Sequence, residues 1–212
     1  MRRERMRVAL PLLALAGMAV GVAACGRSGP ALPTSAPVPG YAPALQGLLE
    51  TKLGLLTGLA EDPAIREAAK AASRAHAELA APGIARLDAR WRRRGGPDEP
   101  LGNALQTSAA ADRLMEFRDR NRGFPEVFLT DRQGLVAAMT NPTSDYAQAD
   151  EDWWQRAYAD GRGAAGAGEI EYDASAHTQA IALHVPVYAA PGGPVVGVIK
   201  ALYDVDAIKG EL

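Results

Sequence analysis

The chain has 212 residues, 48% of them apolar and 23% charged, with a formal net charge of −2. That length suits one domain with appendages, and the near-neutral balance gives no reason to expect nucleic acid as a partner. A lone cysteine, Cys25, excludes an internal disulfide and a cysteine-rich metal site. His76, His177 and His184 stand at no metal-ligand spacing, so no metal or cofactor is expected.

The first elements are an address. Arg2, Arg3, Arg5 and Arg7 form a basic head, an apolar run covers Val8 to Val22, and Ala23, Ala24 and Cys25 follow. This is the layout of a secretory signal. The run is shorter than the about 20 residues of a membrane-spanning helix, and Pro11 interrupts it. Val22-Ala23-Ala24-Cys25 resembles the lipobox of bacterial lipoproteins. That resemblance implies removal of residues 1–24 and diacylglycerol on the Cys25 sulfur, an anchor strengthened by ~0.8 kcal/mol per buried methylene. With Gly26 rather than Asp after the cysteine, it implies the periplasmic side of the outer membrane, or else the cell membrane. Residues 25–40, punctuated by Pro30, Pro33, Pro37 and Pro39, read as an extended tether.

The folded part is expected over 41–212, with a helical half over 41–122. Leu45, Leu48, Leu49, Leu53, Leu56 and Leu59 recur at helical spacing between Ala42 and Ala60. Asp62-Pro63 restarts the pattern with an N-cap and a first-turn proline, and Ile65 to Leu79 continues it. Ile84 to Arg93 predicts a third helix stopped by Gly95-Gly96-Pro97, and Leu101 to Arg120 a fourth. A sheet is expected over 124–206. Glu126 to Thr130 predicts a strand, Asp131 to Gly134 a turn, and Leu135 to Thr140 the returning strand. Asp150 to Asp160 predicts a short helix holding Trp153 and Trp154. Gly168 to Tyr172, Ala180 to Tyr188 and Val195 to Val205 complete five strands. Hairpin connections with one helical insertion imply an antiparallel sheet in the α+β class.

Phe128-Leu129-Thr130-Asp131, Gly134, Thr143 to Tyr146, Asp150 to Trp154, Tyr172-Asp173, Val185-Pro186-Val187, Gly193 and Gly197-Val198-Ile199 follow one another in an order that resembles a single Cache domain, the PAS-like extracellular sensor of bacterial receptors. The resemblance implies an antiparallel five-stranded sheet with a long N-terminal helix and further helices packed before it. It also implies a pocket on one sheet face, closed by Asn141 to Asp160. Amino-acid-binding members carry Arg-x-Trp and a later Asp; Trp153 and Asp173 match, but Glu151 stands at the Arg position. A carboxylate there repels a ligand carboxylate, so an amine or other small polar metabolite is the expected ligand, with Asp173 pairing and Trp153 or Tyr146 adding cation–π contact.

The candidate ligand-binding residues are Tyr146, Trp153, Trp154, Tyr172, Asp173 and His184, with Cys25 as the lipidation site. Neighbours on a helix diverge, so one of Trp153 and Trp154 is expected in the pocket and the other in the core. Asp173 has a competing role as a turn cap with Ser175. Arg90, Arg92, Arg93 and Arg94 around Trp91 read as a solvated helix end more readily than as a lipid-headgroup patch. No nucleophile elbow, P-loop or His-Glu-x-x-His occurs, which argues against an enzyme. With no further module expected after the sheet, a signal would leave through a receptor or kinase partner, and the Leu45, Leu49, Leu53 and Leu56 face offers a homodimer seam or packs on its own sheet. The alternative is a structural or assembly lipoprotein using the fold without a ligand.

Overall fold

The structure, a computed structural model, describes residues 40–94 and 100–212. The signal, Cys25, nearly all of the tether and the Gly95-Gly96-Pro97 stop lie outside these residues. Among the described residues five helices precede the sheet: α1 (Pro43–Ala60), α2 (Pro63–Ala75), α3 (Ala81–Arg94), α4 (Pro100–Gln106) and α5 (Ala109–Arg120). Strands β1 (Glu126–Asp131) and β2 (Val136–Met139) come next, then α6 (Asp152–Tyr158) with a 3-10 turn, then β3 (Gly166–Asp173), β4 (Thr178–Tyr188), β5 (Val195–Asp204) and α7 (Val205–Glu211). The sheet order is β2-β1-β5-β4-β3, with every pairing antiparallel. This α+β architecture, a five-stranded antiparallel sheet behind a long N-terminal helix, is the one the resemblance implies.

Local chemistry places the helix starts. Asp62 caps α2 by accepting from the Ala64 N–H at 2.7 Å, and Ser108 caps α5 by accepting from Ala111 N–H at 3.1 Å. The Ser108 cap divides the single helix expected from Leu101 to Arg120. Similarly, the last strand stops at Asp204, whose Oδ1 accepts from the N–H groups of Asp206 and Ala207 and starts α7. In the β1–β2 hairpin, Asp131 Oδ1 accepts from Gln133 and Leu135 N–H. Gly134 supplies a φ of 79° there, and a Cβ at that point would lie 2.6 Å from Ala149 N.

Alternation along the strands gives the sheet two faces, the first apolar and the second mixed. Val127, Leu129, Ile181, Leu183, Val185, Val187, Ile199, Ala201 and Tyr203 share the first with α1, α2 and α5. The α1 face settles one alternative: Leu49 and Leu56 are fully buried and Leu53 nearly so, against β4. That face packs on its own sheet and is not free as a dimer seam, because each of these leucines gains about 1.5–3 kcal/mol from burial there. The opposite face carries Phe128, Thr130, Ala182, His184, Val198, Lys200 and Leu202, and α6 crosses it over β4 and β5.

Candidate binding cleft

Beside α6, on this second face, a cleft of about 830 Å³ opens, within the ordinary range for small-molecule sites. Its floor is Ala180, Ala182, Lys200 and Leu202, one wall is Trp153, and the far side is β3. Seven carboxylates line it, Asp145, Asp150, Glu151, Asp152, Glu169, Glu171 and Asp173, against two cations, Arg156 and Lys200. The surplus of negative charge favours a cationic guest.

Trp153 meets Phe128 edge-on at 5.7 Å. Lys200, opposite Phe128 in the β1–β5 register, places its ammonium 5.1 Å from the Trp153 ring and 5.7 Å from Phe128. Among the described residues no carboxylate forms an ion pair with Lys200. Asp173 closes β3. Its Oδ1 accepts from Ser175 N–H, Ala176 N–H and the Ser175 hydroxyl, at 2.9, 3.0 and 2.6 Å. Burial raises the Asp173 carboxyl, but those bonds and the charge of Lys200 outweigh it and hold it below its ordinary value. The residue therefore caps the turn and lines the cleft at once.

Of the six candidate residues, the fold brings Trp153, Tyr172 and Asp173 to the cleft, Tyr172 as a largely exposed rim residue. Three are displaced. Tyr146 is 2% exposed; its ring packs on Trp91, its hydroxyl lies 3.4 Å from His76 Nε2, and burial pushes the phenol up to about 12. Trp154 donates to Thr130 Oγ1 at 3.0 Å and stacks on Tyr158, its neighbour one turn on, at 4.7 Å. His184 shares the cleft face but lies enclosed in the row Phe128–Lys200–His184–Gly166. It is 1% exposed, and among the described residues neither ring nitrogen has a hydrogen-bond partner. Burial, then the charges of Arg156 and Lys200, lowers it to about 4.

The basic run after Trp91 is partly structural. Trp91 is buried and donates to the Thr143 carbonyl at 2.7 Å, while Arg92 pairs with Asp88 and, at 2.9 Å, with Asp145. Asp88 in turn accepts from Tyr146 and Ala147 N–H at 2.9 and 3.2 Å. This lattice holds the loop that borders the cleft. Sequence reasoning missed Lys200, Arg156 and Glu126. The available signal was a charged residue on an inward strand position: Lys200 between Val198 and Leu202, and Glu126 two before Phe128.

No known protein family matches the chain, and no curated protein does. Among solved structures, it is similar to the ligand-binding domain of the Campylobacter jejuni chemoreceptor Tlp3 in complex with 4-methylisoleucine, at 13% identity and a TM-score of 0.40 over 81% of this chain and 64% of that one. The Pseudomonas aeruginosa amino acid chemoreceptor PctC ligand-binding domain, in complex with GABA, matches at 19% identity and a TM-score of 0.38, over 78% and 67%. The Vibrio cholerae histidine kinase DctB sensor domain matches at 19% and 0.37, over 79% and 60%. The chain thus spans about two thirds or less of the length of these domains. No helix among the described residues is long and apolar enough to cross a membrane.

Proposed function

We propose that this chain is an extracytoplasmic, lipid-anchored sensor that binds a small amine in the α6 cleft and signals through a partner protein rather than by catalysis. The observation that carries the reading is the cleft itself: one Trp wall, a floor of Ala180, Ala182, Leu202 and Lys200, and seven carboxylates facing two cations. Asp173 Oδ1 is committed to the turn, and Oδ2 is free among the described residues to meet an ammonium group. Trp153 supplies the face on which alkyl carbons or a second cation rest.

Thermal denaturation of residues 41–212 with butylamine, putrescine, glycine and succinate tests this. At a hundredfold excess over Kd a ligand stabilises by about 2.7 kcal/mol, so amines are expected to raise Tm by several degrees. Asp173→Asn keeps an oxygen for the turn and should lose the response without losing the fold. Stabilisation by succinate alone would refute the amine. The anchor is tested by Cys25→Ser, which is expected to move the protein from the membrane to the soluble fraction.

A further inference from the structure

Behind Asp173 stands a second carboxylate. Glu126 opens β1 opposite Leu202 and is 3% exposed. The hydroxyl of Ser175, in the β3–β4 turn, bridges the two acids: its Oγ lies 2.8 Å from Glu126 Oε2 and 2.6 Å from Asp173 Oδ1. A hydroxyl owns one hydrogen and can accept another. With both acids ionised, one buried carboxylate oxygen would face a lone pair at hydrogen-bond distance, which is repulsive.

The hydrogen count closes when one acid keeps a proton. Asp173 has two backbone N–H donors besides the hydroxyl, so it is the better anion. Glu126 has the hydroxyl alone among the described residues. The consistent arrangement is Glu126 O–H donating to Ser175 Oγ, and Ser175 O–H donating to Asp173 Oδ1. The charged groups facing Glu126 are Asp173 from the β3 end and Lys200 from β5, of opposite sign. Burial, the largest influence, pushes the Glu126 carboxyl up to about 7.

We infer that Glu126 is a proton-holding acid buried behind the cleft and joined to it through Ser175, and that an ammonium group arriving at Asp173 displaces its proton, coupling amine capture to release of one proton. The inference rests on the amine reading above. The exchange balances: protonated Glu126 plus a bound alkylammonium gives Glu126 carboxylate, the same alkylammonium and one proton passed to water. An ammonium N–H donated to the free Asp173 Oδ2 compensates that carboxylate for the hydroxyl hydrogen given up at Oδ1, and the Ser175 hydrogen turns to Glu126. A cation without N–H hydrogens brings the charge but cannot replace that hydrogen, so the pair discriminates a primary amine from a quaternary one.

The test uses the full chain, with the ¹³C resonance of the Glu126 carboxyl followed against pH and butylamine affinity measured over the same range, in which butylamine stays charged. The carboxyl is expected to titrate near neutrality alone and at lower pH with butylamine. Affinity is expected to rise up to about tenfold per pH unit between pH 5 and 7 and then level off, with tetramethylammonium binding more weakly. Glu126→Gln, whose amide can donate to Ser175 as the protonated acid does, should bind butylamine with no such rise. A Glu126 carboxyl titrating in the ordinary carboxylate range overturns the coupling. So does a pH profile identical in wild type and Glu126→Gln. If butylamine binds neither protein at any pH, the amine reading falls and takes the coupling with it; binding with a flat profile overturns the coupling alone.

Discussion

Neutralising Glu126 and removing His184 should tilt the stability of the domain with pH in opposite directions. Glu126 rises from an ordinary 4.5 to about 7 in the fold, by burial against the bond from Ser175. Between those values the folded chain holds a proton that the unfolded chain has lost, so its contribution to stability falls as pH rises through that window. His184 falls from 6.5 to about 4, again by burial first. Between those values the unfolded chain holds a proton that the folded chain lacks, so its contribution falls as pH drops through that window. One proton is worth about 1.4 kcal/mol per pH unit, which makes each window worth about 3 kcal/mol at most. Over the shared range the two slopes oppose each other, and wild type is expected to be nearly flat on their account. Glu126→Gln should therefore gain up to about 3 kcal/mol relative to wild type between pH 4.5 and 7. His184→Phe should gain a similar amount relative to wild type as pH drops from 6.5 to 4, on top of about 1 kcal/mol at neutral pH from losing two unpartnered ring nitrogens. Urea unfolding at constant ionic strength, read as the difference from wild type at each pH, measures both. Difference curves that stay level, or that slope the same way, would refute the assignment of these two buried groups.

Gly197→Ala should cost more than about 2 kcal/mol in urea unfolding, since a Cβ there would sit 2.2 Å from the Thr130 carbonyl oxygen and push β1 from β5. Gly54→Ala, on the open side of α1 where a Cβ meets nothing, should stabilise by about 0.5–1 kcal/mol. Thr130→Val strands the Trp154 Nε1–H in the core and is expected to cost about 1–3 kcal/mol, with a change in tryptophan fluorescence. Asp88→Ala takes the acceptor from Tyr146 and Ala147 N–H; a loss on the order of 2 kcal/mol and faster amide exchange at both residues are expected.

Whatever depended on neighbours along the chain was legible in advance. The leucine spacing of α1, the Asp62-Pro63 start of α2, the Asp131 to Gly134 turn and the alternation of Ile181, Leu183, Val185 and Val187 are each written within a dozen residues, because helix and strand periods and turn chemistry are local. The Asp204 cap was equally local and passed unread behind an apolar run that suggested more strand. The membership of the cleft was not local. Tyr146 and Trp154 belong to the core because His76, Trp91 and Thr130 arrive there from other elements. Lys200 meets Phe128, and Ser175 meets Glu126 49 positions away, only through strand register and the closing of a hairpin. Residue type and spacing determined the elements and the faces they bury; the order in which β5 inserts between β1 and β4 decided which charged groups share a wall, since that order is set by packing between distant segments and leaves no periodic trace in either.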